Sequence, residues 1–447
     1  MSSANASAVY DKLASNFTAR NARSKRIHDA AIKSLPGGNT RSVLYYEPFP
    51  LSIKRAEGSN LFDVDGHDYV DLLGEYTAGL YGHSEPLIIN AITEAAKRGI
   101  NFGSQHEDEG KLAELVKQRF PSMELIRFTN SGTEATLMAL SAAKAYTDRS
   151  KILVFDGGYH GGAFTFKNGK SSVVNAPHDY LIARYNDLPS VYALLDDDAN
   201  RQQVAAIIVE PMMGSSGAIP PVAKFLEGMR HLATAAGAVL IFDEVMTSRM
   251  HAGGGIQSQL SASIRPDMTT LGKYIGGGMS FGAFGGKREI MELFDPRKPN
   301  ALSHAGTFNN NVLTMSAGRV GLEQIFTPER ASQLHARGDK LRKTLQDVSR
   351  GTLMKVTGYG SILCFHWSAT EVEDIKSPQD LKDDDKTLGD VFHLYLLDRG
   401  FYIARRGFVA LSLALTEAQL DGFVAVVRDF LRAHEQLVSL QGSKARL

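Results

Sequence analysis

The sequence predicts an α/β protein: a mostly parallel β-sheet flanked by helices, followed by a smaller α+β domain. Three observations predict it. From about Glu85 to Asp295, short apolar runs of strand length alternate with helical patterns; strands covered on both faces read as continuous apolar runs, not alternating ones. After about Pro328 that alternation stops, and long helical stretches enclose isolated strands. The length, 447 residues with 43% hydrophobic and 22% charged side chains, suits a large folded chain and excludes wholesale disorder. The expected division is an N-terminal arm and β-meander over residues 1–84, belonging to the small domain and an active-site loop. A large domain over 85–328 and a C-terminal small domain over 329–447 follow.

The elements follow in order. Met1 to about Arg26 is rich in Ser, Ala and Asn and carries Arg20, Arg23, Lys25 and Arg26 against few acids. It reads as a helical arm on the main body, with an organellar transit peptide as the other reading. Asn5-Ala6-Ser7 and Asn16-Phe17-Thr18 match the glycosylation tripeptide, which an intracellular protein leaves bare. Leu51–Leu73 reads as a β-meander turning at Asp65-Gly66. Strands are expected at Ile126–Asn130, Ile152–Asp156, Val204–Glu210, Val239–Val245, Met268–Leu271 and Phe281–Gly285, with helices at Thr133–Tyr146 and Val222–Ala236 among them. The C-terminal part predicts a helix from Ala331 to about Val348, a strand at Ser361–Trp367 and a charged loop at Glu371–Lys386, read as a solvated excursion. A strand at Phe401–Ala404 and a closing helix at Glu417–Leu437 complete it.

Charge narrows the function. With 49 basic and 49 acidic side chains the formal net charge is zero, so no global footprint calls for nucleic acid or an anionic membrane. No stretch approaches the roughly 18 apolar residues of a membrane helix. The single cysteine, Cys364, cannot pair internally, which favours a reducing, cytoplasmic setting and excludes cysteine-rich zinc modules. His106-Glu107-Asp108-Glu109 reads as a polar helix start, and no metal site is expected.

Four stretches carry chemistry, and each has a plainer reading. Asn130-Ser131-Gly132-Thr133-Glu134-Ala135 runs from a strand into a helix, where backbone N–H groups and the hydroxyls of Ser131 and Thr133 can cradle a phosphate. Simple N-capping uses the same residues. Asp156-Gly157-Gly158-Tyr159-His160-Gly161 follows another strand; Tyr159 or His160 could stack on a planar ring, or lid the core. The run Val239–Phe242 delivers Asp243-Glu244-Val245 at a strand end, where a buried acid needs a cationic partner, either a protonated ring nitrogen or a structural arginine. Lys273 follows a strand in a glycine-rich setting, Gly272 to Gly278, and can form an imine if its amine is deprotonated. Alone it would read as a surface lysine. Together, in this order along one sheet, the four suit pyridoxal phosphate, which needs a lysine, an acid and phosphate donors.

From about Ser34 to Ala433 the chain resembles the class III pyridoxal-phosphate aminotransferases of fold type I, in the branch that contains glutamate-1-semialdehyde aminomutases. Asn130–Ala135, Asp243–Val245, Leu271–Gly278 and His304-Ala305-Gly306-Thr307-Phe308 match that family's signature stretches in order. The resemblance implies that Lys273 carries the cofactor's Schiff base, Asp243 pairs with the ring nitrogen, and Val245 and Tyr159 sandwich the ring. It further implies that Gly132 and Thr133 hold the phosphate, helped by Thr307 of the partner subunit, in a homodimer with shared active sites.

Two arginines bear on the substrate. Pro36-Gly37-Gly38-Asn39-Thr40-Arg41 resembles a carboxylate-holding loop of the aminomutases, making Arg41 a candidate clamp. Ile403-Ala404-Arg405-Arg406-Gly407-Phe408 departs from the aminomutases and resembles β-amino-acid aminotransferases such as those acting on β-phenylalanine. Gly74–His83 resembles the same group, with Tyr76 and Tyr81 offering an aromatic wall. The expected reaction moves an amino group from an aromatic β-amino acid to a 2-oxo acid such as pyruvate or 2-oxoglutarate, with Arg41 holding the donor's carboxylate and Arg406 the acceptor's. Arg405 and Arg406 could instead brace the domain interface through ion pairs. An aminomutase-like isomerase or a racemase would share Lys273 and Asp243. A dinucleotide-binding oxidoreductase is disfavoured, since Gly276-Gly277-Gly278 lacks the strand-to-helix fingerprint.

Overall fold

Val204–Val209 and Val239–Asp243 are buried at every position, which forces both strands into the middle of a sheet covered on both faces. In the computed structural model, which describes residues 2–440, they lie side by side in a seven-stranded sheet. Its spatial order is Leu125–Thr129, Gly282–Gly286, Met268–Gly272, Val239–Asp243, Val204–Val209, Lys151–Phe155, Asp179–Ala183. Gly282–Gly286 runs antiparallel to both neighbours, while the remaining pairs from Met268–Gly272 to Asp179–Ala183 are parallel. The helix Gly132–Thr147 lies on this sheet through Ala135, Ala139, Ala142 and Ala143, all fully buried; such small side chains let helix and strand backbones approach closely. The edge strand Asp179–Ala183 is not among those expected, because its Asp-Tyr start and half-exposed pattern lack a continuous apolar run.

This sheet belongs to a unit made of Pro86–Ala336 with Lys376–Gln379. The second unit gathers the chain up to Glu85, Arg337–Ile375 and the chain from Asp380 on. Its meander, Ile53–Glu57, Asn60–Asp63 and Asp68–Asp71, turns at Asp65-Gly66, where one Asp63 oxygen accepts the N–H groups of residues 65, 66 and 67 at 2.9, 2.7 and 2.8 Å. Phe401–Tyr402 joins it in parallel. A second, antiparallel sheet holds Met354–Tyr359, Ile362–Trp367 and Phe408–Ala410. The N-terminal arm is helical, Ser2–Arg20 and Ala22–Ala31, and Phe17 packs with Tyr46, Phe49, Tyr69 and Leu394. Burying Phe17 in this way is worth roughly 1.5–3 kcal/mol.

Two expectations need correction. The closing helix runs Glu417–Ala433, begun by a Thr416/Gln419 capping box, and breaks at His434 (φ −122°, ψ 27°) before a short turn over Glu435–Val438. The charged segment Glu371–Lys386 is exposed at many of its charged residues, but it is more closely tied to the fold than a solvated excursion would be. Its acids serve as acceptors for backbone and hydroxyl donors: Asp384 takes Trp367 N (2.7 Å), Asp383 takes Ser368 Oγ and Ala369 N, and Asp385 caps the helix Lys386–Asp398. Its middle is anchored in the larger unit, with Lys376 O accepting from Asn186 (2.8 Å) and Gln379 donating to Asp156 (2.5 Å). A carboxylate that accepts several N–H bonds is structural, and a count of charges does not register that. Among the described residues, no helix is long and apolar enough to cross a membrane.

One buried group yields a test of the packing. His393, 2% exposed, has no hydrogen-bond partner among the described residues on either ring nitrogen. Burial, reinforced by the Arg405 charge, pushes its pKa from 6.5 down to about 3. The folded chain therefore excludes a proton that the unfolded chain takes up below its ordinary pKa, so stability falls as pH drops from 6.5 toward 3. His393→Phe is expected to flatten the acid limb of the urea-midpoint profile; parallel loss in both proteins between pH 6.5 and 4 would show that this imidazole is not held neutral.

Candidate active site

Ligands bind an open parallel sheet beyond the carboxyl ends of its strands, and strand register decides which residues meet there. Phe242 pairs with Val209 and Asp243 with Thr270, so Glu210, Asp243 and Lys273 emerge at the same end of the sheet. Lys273 follows Met268–Gly272 directly, is partly buried, and adopts a left-handed backbone (φ 61°) that non-glycine residues rarely occupy.

The cradle forms where Leu125–Thr129 enters its helix. Ser131 Oγ accepts Glu134 N (3.2 Å) as N-cap, and Glu134 reaches back to Asn130 N (2.8 Å). Among the described residues the N–H groups of Gly132 and Thr133 have no acceptor, as expected of a helix's first turn. The turn Gly157–Gly161 closes one side, with Thr133 Oγ1 accepting Gly162 N (3.2 Å). Val245 closes another: a Cβ added to Gly132 would lie 3.0 Å from Val245, and one added to Gly272 would lie 3.2 Å from it. The cradle, Val245 and the residue preceding Lys273 therefore share one small volume. Free N–H groups at a helix start attract a phosphate. Thr307 stands exposed in the loop before Val312–Val320.

Asp243 finds a partner that was not foreseen. His160 Nδ1 lies 2.7 Å from Asp243 Oδ2, and Val245 N donates to Asp243 Oδ1 at 3.0 Å. His160 is 3% exposed and turned inward, so it is not the residue that stacks on a ring; Tyr159, 43% exposed, is available for that. Burial alone would discharge the imidazole, yet the carboxylates of Asp243 and, more weakly, Glu210 raise its pKa above the ordinary value. Glu210 itself is pushed up to about 7 by burial, with nearby Asp243 adding to the rise. Its two oxygens accept Tyr159 N (3.0 Å) and Gly214 N (2.8 Å), stapling the stacking turn to the next loop. A carboxylate offers about four lone-pair sites, so Asp243 retains capacity for a ring N–H. The donors and acceptors thus fit pyridoxal phosphate: a free-amide cradle, an exposed aromatic face, an acid bonded to a buried histidine, and a lysine. Sequence reasoning missed Glu210, although its signal, an acid ending an apolar strand, is the one that revealed Asp243.

The smaller unit carries the arginines. Arg41 is ion-paired with Glu75, and its Cζ lies 5.6 Å from the centre of the Tyr76 ring. Arg406 Cζ lies 5.4 Å from the same ring, and Tyr76 stacks on Phe408 (5.8 Å, 24°). Tyr81 is buried. The neighbouring Arg405 grips Asp390 through two contacts at 2.5 and 2.6 Å and so braces the scaffold. Tyr76, Phe365, Trp367, Phe392 and Arg406 line a cavity of about 380 Å³.

A family model described as Aminotransferase class-III matches residues 44–421. The chain is 48% identical over 424 residues to the β-phenylalanine transaminase of Variovorax paradoxus, spanning 94% of this chain and 95% of that one. It is 37% identical over 418 residues to a glutamate-1-semialdehyde 2,1-aminomutase of Acetivibrio thermocellus (89% and 95%). Among solved structures, a β-phenylalanine aminotransferase from Variovorax paradoxus superimposes with a TM-score of 0.93 at 47% identity, covering 97% of this chain and 99% of that one.

The cradle can be tested by filling it. Gly132→Ala places a methyl against Val245 and is expected to weaken pyridoxal-phosphate binding about tenfold, ~1.4 kcal/mol, in a fluorescence titration. Unchanged affinity would locate the phosphate elsewhere.

Proposed function

Since this chain belongs to the class III aminotransferases, fold type I enzymes that depend on pyridoxal 5′-phosphate, we propose that it moves an amino group from an aromatic β-amino acid, of the β-phenylalanine kind, to a 2-oxo acid such as pyruvate or 2-oxoglutarate. The observation that carries this reading is the pair of guanidinium groups on one aromatic ring, Arg41 and Arg406 at 5.6 and 5.4 Å from Tyr76. A β-amino acid and a 2-oxo acid set their carboxylates at different distances from the reacting carbon. One arginine cannot serve both without moving. Arg41 takes the donor's carboxylate and Arg406 the acceptor's. When an aromatic side chain enters, Arg406 moves aside, and the cavity it lines gives the guanidinium room. The relatedness to β-phenylalanine transaminase supports the choice of donor.

When bound, pyridoxal phosphate supplies an electrophilic carbon and a ring that accepts electrons from the broken C–H bond. Asp243, hydrogen-bonded to His160, would hold a proton on the ring nitrogen. Val245 and Tyr159 confine the ring, while Ser131, Gly132 and Thr133 bind the phosphate together with Thr307 of the partner subunit, in a cytoplasmic homodimer. Lys273 Nζ would hold the cofactor and would serve as the base that moves the substrate's proton. Delivery of the amino group to a separate 2-oxo acid distinguishes this activity from the aminomutase isomerisation.

Lys273→Ala is expected to abolish turnover and the visible absorption of the bound cofactor; a fully active variant would overturn the assignment. Arg41→Ala should impair the half-reaction with the β-amino acid and Arg406→Ala the half-reaction with the 2-oxo acid, each by at least tenfold in kcat/KM, about 1.4 kcal/mol. Equal losses on both halves would defeat the division of labour.

A further inference from the structure

Glu75 sits on a backbone that a free chain would avoid. Gly74, Glu75, Tyr76 and Thr77 are all left-handed, with φ of 52°, 47°, 52° and 83°. Only the first is a glycine, and it has to be one, because a Cβ there would lie 2.4 Å from Ala410 O. Three consecutive non-glycine residues in this region persist only where their surroundings over-determine them. Here buried Asp71 does so, taking Leu73 N (2.9 Å) and Gly74 N (3.1 Å) on one oxygen and His83 Nε2 (2.9 Å) on the other. Tyr76 is stacked on Phe408, and Ala410 N is tied to Leu72 O (2.8 Å). The turn is held rigidly in a costly conformation.

That cost is not repaid as fold stability by the ion pair it creates. The Arg41 and Glu75 side chains are 46% and 49% exposed, and pairs so solvated contribute little to stability. Burial of Tyr76 and Thr77 holds the turn without needing an acid at position 75, so the exposed ion pair points to a positional purpose. The contact is specific: Glu75 Oε1 meets Arg41 Nη1, while among the described residues Nε and Nη2 have no partner. Nε–H and Nη2–H form the side-on fork of a guanidinium, two parallel donors that match a carboxylate's two oxygens. The Tyr76 ring, 5.6 Å from Cζ, restrains the group a second time.

We propose that Glu75 is a positioning residue for Arg41: by gripping Nη1 it holds the guanidinium with its side-on fork presented to the carboxylate of the amino donor. Arginine loses much rotamer freedom when it binds, and a guanidinium already held in place avoids most of that loss. The inference rests on the reading of Arg41 as the donor's clamp, and the test separates the two.

The holoenzyme and its Glu75→Gln, Glu75→Asp and Arg41→Ala variants are compared. Calorimetry gives the Kd of 3-phenylpropanoate, which has the carboxylate but no amine; steady-state kinetics give KM and kcat for β-phenylalanine and KM for the 2-oxo acid. Glu75→Gln is expected to raise the Kd of 3-phenylpropanoate and the KM of β-phenylalanine about fivefold, leaving kcat and the acceptor's KM within about twofold. Glu75→Asp, too short to reach, should behave alike and serves if the Gln variant does not fold. If Arg41→Ala leaves both quantities unchanged, the clamp reading itself fails. If Arg41→Ala weakens them while the Glu75 variants match or tighten wild-type binding, Glu75 competes with the substrate and the positioning role is overturned. Equal losses for donor and acceptor would reduce Glu75 to a structural part and overturn it as well.

Discussion

A carboxylate buried at the end of a strand must be paired, and much of the larger unit answers that requirement. Asp243 is delivered by a strand without a single exposed residue, so its charge cannot be met by water. His160 meets it from the turn after the next-but-one strand, and the carboxylates of Asp243 and, more weakly, of Glu210, which follows the strand between, raise the imidazole's pKa against the effect of burial. Glu210 in turn holds the amides of Tyr159 and Gly214. The aromatic that faces outward, the histidine that faces inward and the loop beyond are thus set by one charge network. Removing Asp243 would deprive buried His160 of its partner, and removing Glu210 would leave the Tyr159 and Gly214 amides unanchored.

The smaller unit solves a different problem by different means. Its arginines are exposed, where a long flexible side chain does not hold a fixed direction. Order is imposed from outside, by a left-handed turn fastened to Asp71 and by a tyrosine lying within reach of both guanidinium groups. Arg405, one residue from Arg406, is held differently: its two contacts to Asp390 brace the scaffold. The proposed function thus places chemistry on a rigid, buried network and recognition on exposed groups held by strain and stacking.

What the sequence by itself determined is whatever depends on local pattern. Continuous apolar runs specify covered parallel strands, and a small-residue turn into a helix specifies free N–H groups. Asp243 and Lys273 could be read from their place at strand ends, and the family's signatures stood in order along the chain. What only the tertiary structure decided depends on which distant residues meet. Nothing local distinguishes His160 as the partner of Asp243 from His160 as a ring-stacking group; a contact across 83 positions does. Nothing in the run Glu371–Lys386 shows that Asp383, Asp384 and Asp385 accept backbone N–H groups. Likewise Arg41 could be named from its loop, but its direction is set by Glu75, 34 residues away. Periodicity and turn chemistry are written in neighbouring residues, whereas charge pairing and side-chain direction arise only when the folded chain brings remote groups within bonding distance.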